Sequence, residues 1–218
     1  MPRTSANLQP AMERNRELDM RIIAAIAVVT LIAAIALPTS AEMVEDCVQS
    51  ADPDLRIGGC TAVIRSGMFA DNPRPLANAY FYRGTAYGDL GESRREIQDY
   101  DQALRLDPGF AAAYHNRGIA YKKLGEYRRA IQDLDQALRL DPGDADAYYT
   151  RGFAYESLGD YERATSDWEQ AFRIGGDSWA KFWQSYMKGR AHYSGAIDGV
   201  YGPATQRAFL ACAADPAC

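Results

Sequence analysis

The chain has 218 residues, of which 47% are hydrophobic and 11% aromatic, so it can bury a core and lacks the composition of a disordered protein. Its formal net charge of −5 has no basic excess, which argues against nucleic acid as a partner. This length is enough for one large domain or for a smaller domain with an appendage.

The N-terminal segment contains an apolar run at residues 22–37, interrupted by one threonine. It is shorter than the roughly 20 residues that a membrane-spanning helix needs, and it fits the hydrophobic region of a secretory signal. Small residues lead up to a predicted cleavage site after Ala41. We therefore interpret residues 1–41 as a tail followed by a signal peptide, Met20–Ala41, and expect a periplasmic or secreted protein. An uncleaved signal that anchors the chain in the inner membrane, facing the periplasm, remains the alternative.

The four cysteines fall into two local pairs, Cys47 with Cys60 and Cys212 with Cys218. An even number of cysteines after a secretion signal predicts disulfides. A bridge between the first pair would close a loop of about fourteen residues and stabilise the fold by about 3 kcal/mol in the chain-entropy description. Zinc binding is the alternative, but no Cys-x-x-Cys spacing supports it. We predict no metal site and no cofactor.

The central part of the chain repeats with a period of 34 residues, as Gly84, Gly118 and Gly152 illustrate. Residues 92–109 and 126–143 are identical at fifteen of eighteen positions, which indicates a duplication. A fixed period of this length is typical of solenoid proteins, in which each unit buries its apolar face against its neighbours.

Each repeat unit has the pattern of two amphipathic helices. In the second unit we predict helices at residues 112–124 and 126–140. Gly118 lets the second helix approach closely, and Gly125 can adopt the left-handed conformation that ends a helix. Asp141-Pro142 then ends the second helix of the unit.

This pattern resembles the tetratricopeptide (TPR) repeat, a helix hairpin that stacks into an all-α solenoid. The resemblance implies an N-terminal helical cap at residues 42–75, with helices around 45–50 and 55–65 joined by the first cysteine pair. Glu96 stands where the other repeats have alanine, and we expect it to face this cap. The repeat region is residues 76–176, with units at about 77–109, 110–143 and 144–176.

In TPR proteins the first helix of each hairpin lines a concave groove that binds protein segments. The matching positions mix apolar groups with both signs of charge, which implies an extended peptide or a partner helix. Some family members grip a chaperone's C-terminal carboxylate with Lys, Arg and Asn residues, but only Asn116 matches that set. The implied groove residues are Asn78, Phe81, Thr85, Asp89, His115, Asn116, Ile119, Lys122, Lys123, Asp146, Tyr149, Phe153 and Glu156.

Residues 177–218 differ in pattern from the repeats. A predicted helix at 178–190, with Gln184 and Met187, and the segment Tyr193–Thr205 resemble a bacterial peptidoglycan-binding domain. We expect the helix also to cap the repeats without a flexible linker, and Tyr193, Ile197, Tyr201 and Ala208 to form a small core. Asp198 is interpreted as a turn-stabilising group rather than a catalyst. The resemblance implies peptidoglycan contacts at Tyr193, Ser194, Asp198, Tyr201 and Arg207.

Together these patterns predict a non-enzymatic scaffold, exported to the bacterial envelope, that binds a protein or peptide in its groove and peptidoglycan through its C-terminal module. The alternative is a pure protein-interaction scaffold in which that module is only a structural cap. A cell-wall hydrolase is the third hypothesis. Against it, the only histidines are His115 and His192, and no catalytic triad or pair of acids can be assembled from the motifs.

Overall fold

A computed structural model of the chain describes residues 39–189 and 192–213, which form nine α-helices and no β-strand. The all-α prediction is therefore confirmed for this part of the chain. None of its helices combines the length and the hydropathy needed to cross a membrane. The helices are α1 (Ser40–Gln49), α2 (Pro53–Ser66), α3 (Pro73–Asp89), α4 (Ser93–Leu106), α5 (Ala111–Lys123), α6 (Tyr127–Leu140), α7 (Ala145–Ser157), α8 (Tyr161–Gly189) and α9 (Pro203–Ala213).

Consecutive helices pair into hairpins, and each hairpin packs against the next. The three repeats are α3 with α4, α5 with α6, and α7 with the first half of α8. Close packing within the second hairpin depends on Gly118, because a Cβ there would lie 2.9 Å from Cγ of the buried Leu134. Gly125, with φ of 74°, ends α5 in the left-handed conformation. Both glycine roles were predicted from the sequence.

A ladder of ion pairs connects the second helices of neighbouring repeats. Arg117 on α5 donates from Nε and Nη2 to both carboxylate oxygens of Asp133, at 2.7 Å each, and from Nη1 to Asp101 of the preceding repeat at 2.6 Å. Arg151 repeats this arrangement with Asp167 and Asp135. A planar guanidinium suits such a bridge because its donors form a rigid fork that matches a carboxylate.

The N-terminal hairpin α1–α2 takes the place of a preceding repeat. Cys47 and Cys60 form a disulfide with their Cα atoms 4.4 Å apart, as predicted. Arg83, which begins the ion-pair ladder, donates to Thr61 on α2 at 3.1 Å instead of to a preceding aspartate. The predicted signal sequence, Cys218 and the side chain of Cys212 lie outside what the structure describes, so export and the second disulfide stay predictions.

Helix α8 passes from the last repeat into the C-terminal segment through a kink at Gly176, where φ is 68° and ψ is −176°. The predicted capping helix therefore follows the repeats directly, without a linker. Its Gln184 and Met187 are buried, and so are Tyr193 and Ala208 of the predicted small core. Ile197 is 40% exposed, so its assignment to that core was wrong. The loop that carries it turns back on Gln184 and leaves the isoleucine on the outside.

Candidate functional site

The first helices of the three repeats differ from one another along one face only. Residues 77–91, 111–125 and 145–159 share the same amino acid at nine of fifteen aligned positions. The shared positions include buried alanines, the glycine at the helix contact and the ladder arginine. The differing positions are Asn78, Phe81, Tyr82, Thr85, Gly88 and Asp89; Ala112, His115, Asn116, Ile119, Lys122 and Lys123; and Asp146, Tyr149, Thr150, Phe153, Glu156 and Ser157. All thirteen predicted groove residues belong to this set.

A pocket opens on this variable face between the first two repeats. Every residue that α3 and α5 contribute to it belongs to the variable set, whereas Glu96 and Tyr100 reach it from α4. We call it the Glu96 pocket. Its lining residues are Thr85, Gly88, Asp89, Glu96, Tyr100, Asn116, Ile119 and Lys123.

Glu96 lies at the base of this pocket and is only 4% exposed. Tyr100 interacts with its carboxyl group, but no described residue donates a hydrogen bond to Oε2. The nearest cation, Nζ of Lys123, lies 3.8 Å from Oε2. Burial raises the pKa of Glu96, and the charge of Lys123 opposes that shift. The expectation that Glu96 faces the N-terminal cap was wrong, because α3 and α5 enclose it on the groove side.

Two features of the pocket hold the Glu96 carboxyl in place. Gly88 leaves the necessary space, since a Cβ at this position would lie 2.6 Å from Oε1 of Glu96. Tyr100 is 1% exposed and interacts with both Glu96 and Asn116. At the rim, the exposed carboxylate of Asp89 lies 3.5 Å from Nη1 of Arg56 on α2. The pocket therefore combines a fixed buried acid with a second acid near solvent.

His115, the next variable residue along α5, is held by an aspartate from the following loop. Its Nδ1 lies 2.7 Å from Oδ2 of Asp144, which also caps α7 by accepting a hydrogen bond from the Ala147 amide. Burial favours a higher pKa for Asp144, but the hydrogen bond and the charge of His115 outweigh it and bring the pKa below its usual value. Within the described part of the chain, His115 Nε2 is buried and has no hydrogen-bond partner.

At the other end of the groove, the second half of α8 lies against the predicted residues of the third repeat. The ring of Tyr149 stacks on Trp183 with centroids 4.2 Å apart, and Trp179 Nε1 donates to Asp146 at 2.9 Å. Phe153 packs against Trp168 at 5.1 Å and lies beneath the ammonium group of Lys122 at 5.5 Å. These residues contact the chain's own capping helix, so the more open part of the groove lies on the first two repeats.

The C-terminal segment is organised around the buried amide of Gln184. Its Nε2 donates to Oδ1 of Asp198 at 2.9 Å and to the carbonyl oxygen of Val200 at 3.0 Å, while its Oε1 accepts from the Gly199 amide at 2.9 Å. Asp198 Oδ1 also accepts from the Val200 amide at 2.9 Å. That backbone hydrogen bond and the one from Gln184 lower the pKa of Asp198. Asp198 thus stabilises the turn, as interpreted from the sequence.

The other predicted peptidoglycan residues divide between the interior and the surface. Tyr193 is 5% exposed and donates from its hydroxyl to the Ala196 carbonyl oxygen at 2.5 Å. Tyr201 packs its ring on Phe172 with centroids 5.0 Å apart. Ser194 and Arg207 are exposed. Among the five predicted contacts, only Ser194, Asp198 and Arg207 therefore have solvent-exposed side chains.

Glu96 and Tyr100 were missed as groove residues because they lie on a second helix, whereas the family pattern assigns the groove to first helices. The sequence did contain a signal for them. Two of the three differences between the duplicated segments 92–109 and 126–143 are Glu96 against Ala130 and Tyr100 against Leu134. A polar residue that replaces a buried apolar one in an otherwise preserved copy indicates a specific local role.

Comparisons with known sequences and structures agree with this architecture. Models of the tetratricopeptide repeat match residues 77–110, 99–132 and 145–177, and a model described as TPR repeat matches 120–159. None of these describes an enzyme family. No curated protein matches the sequence.

Among solved structures, the chain is similar to MamA, with 20% identity, a TM-score of 0.55, and coverage of 74% of this chain and 92% of that one. MamA 41-end from Desulfovibrio magneticus RS-1 gives 20% identity and a TM-score of 0.55, covering 70% of this chain and 84% of that one. The second TPR of Spaghetti (RPAP3), bound to an HSP90 peptide, has 29% identity but a TM-score of 0.47, too low to transfer its ligand. It covers 49% of this chain and 99% of that one. The shared fold and the repeat matches lead to one conclusion: residues 77–177 of this chain are tetratricopeptide repeats.

Proposed function

We propose that this chain is a non-enzymatic interaction scaffold whose groove binds an extended peptide segment of a protein partner. The observation that carries the proposal is the confinement of all differences among the first helices to one face. The buried alanines, the contact glycine and the ladder arginine are the same in all three copies, whereas the six differing positions hold a different residue in each copy. A surface used only for solubility gives no reason for all the differences to lie on one face of the helix.

The chemistry of the first two repeats suits a peptide better than a small metabolite. The partly buried Ile119 lies beside polar groups of both charges, including Asp89 and Lys123. Peptide recognition by helical repeats uses such combinations, because apolar anchors supply affinity and polar groups fix the register. The third repeat contributes less, because α8 packs against its groove residues.

Selection of peptides from a random library on the purified chain tests this proposal. Peptides that bind should lose at least about tenfold in affinity with Ile119→Ser, since an apolar anchor loses its contact surface. Arg128→Ser, at an exposed position on α6, is the matched control and should leave affinity unchanged. Failure to select any peptide, or equal loss in both variants, would contradict the proposal.

The proposed setting is the bacterial cell envelope, after export by the predicted signal. The Cys47–Cys60 disulfide supports it, because structural disulfides persist mainly in oxidising compartments. Sequencing the N-terminus of the mature protein is the direct test. A chain that begins at Glu42 would establish cleavage, and one that retains residues 22–37 in the membrane fraction would favour the anchor. Recovery from the cytosol with reduced thiols would contradict export.

For the C-terminal segment, the contacts favour the structural cap over the peptidoglycan-binding module. Its loop is occupied by the Gln184 network, and its rings pack against the last repeat. Peptidoglycan binding by Ser194, Asp198 and Arg207 remains the second proposal. Incubation with purified sacculi separates the two, with Ser194→Ala/Arg207→Ala as the surface variant and Gln184→Ala as the interior variant. The cap alone predicts no retention and a lower melting temperature for Gln184→Ala only. Peptidoglycan binding predicts retention that the surface variant abolishes.

A further inference from the structure

We infer that the Glu96 pocket binds a cationic side chain of the partner peptide, the guanidinium of an arginine or the ammonium of a lysine. This inference rests on the proposed function, because it assigns a specificity to the groove described there. It adds that one basic residue of the partner enters between the first and second repeats and donates to Glu96.

The argument starts from the cost of placing Glu96 where it is. The same helix position holds Ala130 in the second repeat and Ala164 in the third, and both are fully buried. The fold therefore does not need a carboxylate there. Moving a carboxylate out of water is strongly unfavourable unless charge and hydrogen-bonding partners replace the lost hydration. A residue that is costly and unnecessary for the fold indicates a role in binding.

The described residues do not supply a hydrogen-bond donor to both carboxylate oxygens of Glu96. Tyr100 interacts with the carboxyl, but Oε2 lacks a donor in the residues that the structure describes. Lys123 Nζ forms an ion pair with Oε2 at 3.8 Å, which is beyond hydrogen-bonding distance, and the Lys123 side chain is 47% exposed. An ionised carboxylate only accepts hydrogen bonds, so the missing partner must be a donor. A cationic donor would supply both the hydrogen bond and the neutralising charge.

The surroundings of the pocket favour a donor that arrives from the groove. Gly88 makes room for the Glu96 carboxyl at the pocket, whereas the matching positions of the other repeats hold Lys122 and Glu156. Asp89 places a second carboxylate at the rim, 58% exposed, where it pairs with Nη1 of Arg56 at 3.5 Å.

Fluorescence polarisation with labelled hexa-arginine, hexa-lysine and hexa-citrulline tests the inference at physiological ionic strength. Citrulline has nearly the shape of arginine but no charge. We expect the two basic peptides to bind and hexa-citrulline to bind at least about tenfold more weakly. Glu96→Gln should weaken the basic peptides by about tenfold, because it keeps the size of the side chain and removes the charge. Glu162→Gln, which removes the same charge from an exposed site on α8, should change affinity less than about twofold.

Folding of the variants is controlled by their melting temperatures, and Glu96→Ala provides a second variant, since alanine is the residue of the other two copies. Equal weakening by Glu96→Gln and Glu162→Gln would mean that the peptides respond to net charge, which overturns the inference. Equal binding of hexa-citrulline would also overturn it. If no basic peptide binds while library peptides still depend on Ile119, the inference fails and the proposed groove stands. If no library peptide binds either, the proposed function itself fails.

Discussion

Helices α4 and α6 are two copies of nearly one sequence used in two different ways. From residue 92 to 109 and from 126 to 143 they differ at three of eighteen positions. In α6, Ala130 and Leu134 form a dry seam against α5, and both are fully buried. In α4 the same two positions hold Glu96 and Tyr100, an interacting polar pair that lines an open pocket. The comparison shows that a repeat can exchange two interior residues for a polar site and retain its backbone.

The two copies can diverge in this way because the stabilising contacts they share lie elsewhere. Both helices place an aspartate, Asp99 or Asp133, opposite the ladder arginine of their own repeat, with contacts of 2.7–2.8 Å. Those ion pairs, together with the buried alanines, hold each hairpin in register. The interior seam that faces the groove is then available for substitution.

Removing a ladder arginine should cause the largest loss of stability, because it breaks the ion pairs that the two copies share. Arg117→Met would leave Asp133 buried with no cation, and we expect a loss of about 3 kcal/mol in the free energy of unfolding. Urea unfolding followed by circular dichroism measures it. Arg128→Met, at an exposed position, should change stability by less than about 0.5 kcal/mol. Similar small losses in both variants would show that the ladder does not hold the repeats together.

A double-mutant cycle on Gly88 and Glu96 should show the next largest effect. Gly88→Ala alone is expected to cost about 1–2 kcal/mol, because the new Cβ would overlap the Glu96 carboxyl held by Tyr100. In the Glu96→Ala background the overlap disappears, and Gly88→Ala should stabilise the helix by up to about 1 kcal/mol. The coupling free energy of about 2 kcal/mol is measured by urea unfolding of the four proteins. Additive effects would mean that Gly88 does not make room for Glu96.

Much of the fold could be predicted from the sequence, for a physical reason. A fixed period, glycines at helix contacts and Asp-Pro helix ends each determine local structure, and three copies repeat the same signal. The boundaries of α5 and α6 accordingly lie within one residue of their predicted positions. The groove positions of the first helices were taken from the resemblance to TPR proteins, and their role in binding stays a prediction.

Features that depend on contacts between elements could not be predicted in this way. Glu96 was expected to face the cap, because its position along the sequence does not reveal that Gly88 leaves space on the opposite side. The contact of Trp179 and Trp183 with the third repeat depends on the kink at Gly176, and helical periodicity does not give the angle of a kink. The role of the ladder arginines required the position of the preceding repeat's aspartate.

The stability difference between wild type and Glu96→Gln should depend on pH. Burial raises the pKa of Glu96, so the folded state favours its protonated form. The stabilising contribution of protonated Glu96 to the folded state is therefore fully present below the ordinary glutamate pKa. It is lost as the pH rises through the raised pKa of Glu96. Lys123, Tyr100 and Asp89 face the same carboxyl and are unchanged in the variant. Melting temperatures should be similar at acidic pH, and near neutral pH the variant should melt a few degrees higher. A constant difference across this range would contradict a buried, titrating Glu96.

The third difference between α4 and α6 should have the smallest effect. Ser93 and Tyr127 are both partly exposed at the starts of their helices, and neither lines the Glu96 pocket. Ser93→Tyr gives α4 the residue of its copy, and we expect unfolding free energy to change by less than about 0.5 kcal/mol, with hexa-arginine affinity unchanged. Urea unfolding and fluorescence polarisation measure the two quantities. Ser93→Tyr and Glu96→Ala each make the sequence of α4 more like that of α6. Comparing the two variants therefore shows whether peptide affinity depends on any difference between the two helices or only on the difference inside the pocket. An effect on peptide affinity from Ser93→Tyr comparable to that from Glu96→Ala would mean that the whole helix, not its buried acid, distinguishes the two repeats.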